Sequence, residues 1–341
     1  MTTKMLSLYS TTMTEKMPYL STINPHFSII SLKKKSFPVT GSRNLFTTTA
    51  HASRFEVDHQ ISRSQGHEEE SLLLMRSVLG SMERVYLKRN PTAKAILDLV
   101  KSVDDADHIC YDHLAFRTFG VKGHGIESMA SFFLDYGYKQ QEELKFPAKK
   151  LKALWFSPPS GLPHEDAATG SGVNGPLPRI FISELLVDQL SPQAQVSSSS
   201  DGWESEYAAW TLVNGYALNH VTISTHRLKT HLTNIRALNQ FLQENGFNLN
   251  SEGGVLKVSP DGLLLQSSTV ADSIPFKFSD GFTESVPCSY IEFAERLVLP
   301  QYKNLLKEEV KEFHRRDGFE VGNADKIFES TSKEQLTRRT G

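Results

Sequence analysis

One pattern occurs twice in this chain, and it restricts the fold more than any other feature. "HLAFRTFG", from His113, has the alternation of a short strand. "IESMASFFLDYGY" follows with helical spacing and leaves through Gly137. About a hundred residues later "HVTISTHR", from His220, precedes "HLTNIRALNQFLQENGF", which leaves through Gly246. Strand-like segments follow in both copies: "LKALWFSP" and "RIFISELLV" in the first, "GVLKVSP", "GLLLQSSTV" and "YIEFAERLV" in the second. The closing strands align without a gap, IFISELLV (180–187) over IEFAERLV (291–298). Four coincidences in one order predict a duplicated βαβββ module. The fold class is α+β, with the modules at about 108–190 and 216–300 and a C-terminal extension over 301–341.

Upstream of the first module, apolar residues from Glu68 to about Val103 recur at helix spacing, interrupted at Asn90-Pro91. These are added N-terminal helices. Residues 157–178 and 191–202 are rich in Pro, Gly and Ser and predict two long loops, and "WESEYAAWTLVNGYALN" predicts a helix between them and the second module. Formal net charge is −2, which gives no electrostatic case for nucleic acid or an anionic membrane. No apolar run approaches the ~20 residues of a membrane helix. Two cysteines, Cys110 and Cys288, make neither a disulfide framework nor a zinc cluster, and are expected to be free thiols.

The first 55 residues differ from the rest. They hold seven Lys/Arg, one acid (Glu15) and many Ser and Thr, with no continuous apolar core. That composition predicts an organelle transit peptide over 1–55, with the mature domain at 56–341. Composition alone separates plastid from mitochondrion poorly; the plastid is the expected organelle, with the mitochondrion as the alternative.

Strand parity then sorts the polar residues. In "YDHLAFRTFG", His113, Ala115 and Arg117 share one face, and Leu114 and Phe116 the other. In "NHVTIST", His220, Thr222 and Ser224 share a face. In "YIEFAER", Tyr290, Glu292 and Ala294 do. A carboxylate inside an apolar strand is costly unless paired or metal-bound. Two imidazoles and one carboxylate from three strands compose a facial triad, suited to Fe(II), Mn(II) or Co(II), with positions open for substrate and dioxygen. His113, His220 and Glu292 are therefore the candidate metal ligands. Glu295 competes with Glu292 but falls on the opposite face. Phe181 occupies the place of Glu292 in the first copy, so one metal per chain is expected. His108, His124, His164 and His226 fall in loops or at strand ends. Arg117 can clamp a ligand carboxylate or pair with a protein acid.

"DHLAFRTFG", "NHVTI", "YIEFAER" and the late "GFEVGNADKIFEST" resemble the 2-oxoadipate dioxygenase/decarboxylase family, in order and from about residue 70 onward. The resemblance implies a vicinal-oxygen-chelate-like fold. It implies Fe(II)-dependent conversion of 2-oxoadipate to 2-hydroxyglutarate and CO2 in lysine catabolism, with dioxygen as co-substrate. His113, His220 and Glu292 match the family's metal ligands. Arg117 matches its catalytic, substrate-binding arginine, and His113 also borders the substrate. The closing strand resembles that of 4-hydroxyphenylpyruvate dioxygenase, with Glu292 at the ligand position. Two other classes fit the same pattern: an oxygen-independent metal-dependent isomerase or hydrolase, and a non-catalytic plastid scaffold.

Overall fold

A computed structural model describes residues 53–103, 109–159, 170–190, 203–277 and 281–337. The chain divides into two compact units, Met1–Glu69 and Glu70–Gly341. The leader expectation falls on residues 1–52, outside the described residues, except that 53–55 open a helix. That helix, α1, spans Ser53–Arg89. Pro91 begins α2 (Pro91–Val103), because proline lacks only an N–H that the first helical position leaves unbonded. Ala93, Ile96, Leu97 and Val100 of α2 are buried, one stripe at helical spacing.

The first module runs β1 (Tyr111–Phe119), α3 (Ile126–Asp135), β2 (Lys139–Phe146), β3 (Leu151–Ser157) and β4 (Arg179–Leu185). Helix α4 (Trp203–Asn214) links it to the second. There follow β5 (Leu218–Ser224), α5 (Ile235–Glu244), β6 (Lys257–Val258), β7 (Leu264–Ser268), a separate hairpin of β8 (Ser273–Lys277) and β9 (Thr283–Pro287), and β10 (Tyr290–Arg296). Two short helices, α6 (Val321–Ile327) and α7 (Lys333–Thr337), close the described chain.

The ten strands form one eight-stranded sheet, in the order β2-β3-β4-β1-β5-β10-β7-β6, and the β8-β9 pair. The eight read as two mirrored halves meeting at β1 and β5, which pair antiparallel. Within each half the first and closing strands pair parallel, with His113 opposite Arg179 and His220 opposite Tyr290. The expected alignment of the closing strands is thus the structural one. The paired βαβββ arrangement of a vicinal-oxygen-chelate-like α+β fold is present. Strand β2 and the β8-β9 hairpin go beyond the sequence reading. In β2, "KQQEELKF", only Leu144 and Phe146 are buried, so no alternation marks it.

Both faces of the central strands are covered. Leu114, Phe116, Val221, Ile223, Ile291 and Phe293 share the larger apolar cluster with the helices. On the other face Ala115 and Phe181 pack with Phe319, Ala324 and Phe328 from the C-terminal extension. Among the described residues no helix is long and apolar enough to cross a membrane.

The repeat also explains Glu184 and Glu295. Glu184 accepts the Ile126 N–H (2.7 Å) and Glu295 the Ile235 N–H (2.9 Å), so each module's closing strand caps the start of its own helix. A carboxylate there satisfies an open N–H and complements the helix dipole. The turn "GVKGHG" serves this contact, since a Cβ on Gly125 would lie 2.1 Å from the Glu184 carboxylate. Replacing Glu295 with alanine is expected to cost about 1 kcal/mol of stability in urea unfolding, as for a lost N-cap, and to leave metal uptake unchanged.

Candidate active site

Three adjacent strands bring the predicted ligands together. His113 and Glu292 lie in one row across the sheet, either side of Thr222, and His220 lies in the next row, opposite Ala115 and Tyr290. His113 Nε2 is 3.2 Å from His220 Nε2. Glu292 Oε2 is 3.0 Å from His220 Nε2 and 3.7 Å from His113 Nε2. Bonds of ~2.1 Å at right angles would set cis ligand atoms ~3.0 Å apart, so the donor set fits one divalent ion bound facially. Among the described residues this is the one group of three His, Cys, Asp or Glu placed to hold a metal. All three are buried.

The electrostatics suit a cation. Burial alone would raise the Glu292 carboxyl, but the charge and hydrogen bonds of His113 and His220 bring it down to about 2. Burial pushes His220 down to about 4, so it is neutral at physiological pH and has a lone pair to offer. Burial acts the same way on His113, but Glu292 and Asp112 outweigh it and raise that imidazole above its ordinary value. Metal binding needs the neutral imidazole and would oppose that rise.

Each ligand has a buried partner. Gln266 Nε2 donates to Glu292 Oε1 (2.7 Å), and Asn323 Nδ2 donates to Gln266 Oε1 (3.0 Å). Asp112 Oδ2 lies 2.9 Å from His113 Nδ1, and Asn219 Oδ1 lies 3.0 Å from His220 Nδ1. Thr222 Oγ1 is 3.0 Å from His113 Nε2. The ring of Tyr290 stacks on His220 at 4.7 Å.

A small cavity of about 10 Å³ lies against the three ligands, walled by Phe181, Phe319, Phe328, Ala324 and Ile327. Arg117 is 1% exposed and does not line it. Its Nη1 donates to Thr331 Oγ1 (3.1 Å) and its Nη2 to the Phe328 carbonyl (3.4 Å), while Nε has no acceptor. The guanidinium lies 4.9 Å from the Tyr207 ring, 5.1 Å from Trp210 and 5.9 Å from Phe328. Among the described residues no carboxylate reaches it at ion-pairing distance. Burial accordingly lowers its proton affinity. Phe328 both walls the cavity and packs on Arg117, so the two compartments share that ring.

The competing residues lie elsewhere. Glu295 caps a helix. His226 pairs with Glu312 at 3.1 Å. His124 contributes a backbone carbonyl to Tyr216. His108 and His164 lie outside the described residues. Cys110 and Cys288 are buried free thiols, raised by burial, and neither joins the ligand group. The sequence reading missed Asp112, Asn219, Gln266, Phe319, Phe328 and Thr331. Two of these had a visible signal: a short polar residue precedes the histidine in both copies, "DH" and "NH".

A family model described as 2-oxoadipate dioxygenase/decarboxylase matches residues 78–201 and 202–313. The chain belongs to the 2-oxoadipate dioxygenase/decarboxylase family. A relative from Arabidopsis thaliana, named 2-oxoadipate dioxygenase/decarboxylase, chloroplastic, is 59% identical over 355 residues, covering 94% of each protein. Another from Oryza sativa subsp. japonica, named chloroplastic/amyloplastic, is 63% identical over 298 residues, covering 78% of this chain and 80% of its own. The crystal structure of hydroxyglutarate synthase from Oryza sativa in complex with 2-oxoadipate superposes with a TM-score of 0.73, at 62% identity, covering 79% of this chain and 95% of that one. The Arabidopsis and rice relatives carry the enzyme name that the four sequence motifs pointed to.

Proposed function

We propose that this family member is an Fe(II)-dependent plastid enzyme that converts 2-oxoadipate and dioxygen to 2-hydroxyglutarate and CO2, in lysine catabolism as the family resemblance implies. The observation that carries the reading is the convergence of His113 Nε2, His220 Nε2 and Glu292 Oε2 within 3.0–3.7 Å on one wall of a cavity lined by Phe181, Phe319 and Phe328. Bound there, a divalent iron would activate dioxygen and chelate the 2-oxo acid end of the substrate.

The chain's own residues do the rest. His113, His220 and Glu292 hold the metal and leave one side of it free. Gln266 holds the Glu292 carboxylate in place. Phe181, Phe319 and Phe328 keep water from the reacting end. Arg117 holds the far carboxylate. Its guanidinium has five N–H donors, two neutral acceptors and no counter-ion among the described residues, so a diacid substrate supplies what the fold does not. Fixing both ends places one substrate carbon beside the metal, which makes the oxidation selective.

The test is oxygen uptake and CO2 release by Fe(II)-loaded protein across a series of 2-oxo diacids. Stoichiometric uptake with 2-oxoadipate is expected, with 2-hydroxyglutarate as product. Turnover under strict anaerobiosis would instead mark an isomerase or hydrolase. A reporter fused to residues 1–55 is expected to enter plastids, and protein lacking them to keep full activity in vitro. Cytosolic fluorescence would remove the targeting reading without touching the enzymology.

A further inference from the structure

We propose that Asp112, held by Arg296, is the positioning residue for His113 as a metal ligand, and that its counterpart Asn219 makes His220 the less strongly directed of the two imidazoles. The inference rests on the metal-site reading above.

Strands β1 and β5 pair with two breaks in register. One falls between Tyr111 and His113 and the other between Ala115 and Phe116. Across the first, Asp112 is the residue without a partner. Across the second, Ala115 pairs with His220 and Phe116 with Leu218, so Asn219 is the extra residue. In a regular strand the residue before a histidine points to the opposite face. A bulge re-aims a side chain, and here each bulged residue reaches the ring of the histidine that follows it, at 2.9 and 3.0 Å. The duplication thus carries a second, hidden pair of equivalent residues. They differ in charge.

Asp112 is fully buried and saturated. Arg296 donates from Nε to Oδ1 (2.6 Å) and from Nη2 to Oδ2 (2.9 Å), a bidentate clamp, and Arg179 Nη1 lies 3.4 Å from Oδ1. The paired guanidiniums are the partners of an ionised carboxylate. An ionised carboxylate only accepts hydrogen bonds. His113 Nδ1 must therefore carry the proton, and in the neutral ligand form the Nε2 lone pair faces His220 and Glu292. The same carboxylate makes the ring more electron-rich and the ligand stronger. Arg296 Nη1 in turn donates to the carbonyls of Arg316 (3.1 Å) and Gly318 (2.7 Å). The next residue, Phe319, packs edge-on against the His113 ring at 4.8 Å. The imidazole is fixed from both sides by one connected set of contacts.

Asn219 has no such support. Its amide offers an acceptor or a donor and so permits either His220 tautomer. Its Nδ2 has no partner. It brings no charge to the ring.

The experiment is a titration of apo protein with Co(II) against a competing chelator, with the visible ligand-field bands recorded at saturation. Asp112→Asn, which makes the first half-site a copy of the second, is expected to weaken Co(II) binding by about 10–100-fold, the range for outer-shell partners, and to shift the bands. Asn219→Ala is expected to lose less. Because Asp112→Asn leaves Arg296 buried without its counter-ion, Asp112→Asn/Arg296→Gln is run beside it, and near-UV circular dichroism reports the fold. A folded Asp112 variant with wild-type affinity and unchanged bands would show that Asp112 serves the fold alone. Equal losses from Asp112→Asn and Asn219→Ala would overturn the asymmetry. Wild-type protein that takes up neither Co(II) nor Fe(II) would overturn the metal-site reading itself, and this proposal with it.

Discussion

Replacing Glu292 with alanine is expected to empty the metal site and abolish turnover. The carboxylate is 1% exposed, lies within 3.0–3.7 Å of both imidazole nitrogens, and is the single negative donor of the set. Its removal should weaken Fe(II) binding by more than the ~10–100-fold that outer-shell changes cost, leaving iron content after desalting near background. Glu292→Gln keeps the side-chain length and an acceptor for Gln266 but not the charge, and should fall between alanine and wild type in metal affinity. The control is Glu295→Ala, three residues further along the strand and on its opposite face, which should unfold at lower urea yet bind iron normally. Iron content by elemental analysis and oxygen uptake on the same samples check both. If Glu292→Ala keeps full activity, or Glu295→Ala loses the more iron, the ligand assignment fails.

Those two glutamates show what a sequence can and cannot reveal. Strand parity alone separates Glu292 from Glu295, and the gapless alignment of the closing strands identifies the missing carboxylate of the first copy as Phe181. Both hold because the strands there are regular. The bulges at Asp112 and Asn219 break parity, so the residues behind the histidines were invisible to an alternation argument, although the repeated polar-His pair hinted at them. Strand β2 escaped notice because five of its eight residues in succession are exposed and charged or amide-bearing, with no apolar alternation. The cover over the site comes from Phe319, Ala324, Ile327 and Phe328, about two hundred residues from β1. Their spacing suggests a short amphipathic helix, but nothing local says which surface it covers. Motif, parity and repetition located the ligands. Long-range packing, which supplies the walls, leaves no period to read.

Arg117→Ala is expected to bind iron normally and to lose on the order of 30-fold or more in kcat/KM for 2-oxoadipate. Truncating one partner of a buried charge-assisted pair costs roughly 2–5 kcal/mol, and the low end of that range is ~30-fold at ~1.4 kcal/mol per decade. The geometry favours a ligand over a structural role. Among the described residues Arg117 is buried with Thr331 Oγ1 and the Phe328 carbonyl as acceptors and no carboxylate at ion-pairing distance, and its Nε has no acceptor. An arginine retained for the fold alone would be expected to face a protein carboxylate, as Arg296 faces Asp112. The rings of Tyr207 and Trp210 lie 4.9 and 5.1 Å from the guanidinium, whose planar fork suits a two-point grip on a carboxylate. Arg117→Lys should restore only part of the loss, because an ammonium cannot reproduce the fork. Since Phe328 walls the cavity and also covers Arg117, Phe328→Ala should alter KM for the diacid more than iron content. The discriminating substrate is a monocarboxylic 2-oxo acid of equal length. It should be poor with wild-type protein and little affected by Arg117→Ala. Equal losses for the mono- and dicarboxylic acids would mean that Arg117 supports the fold or the metal, and that selection for a diacid lies elsewhere in the cavity.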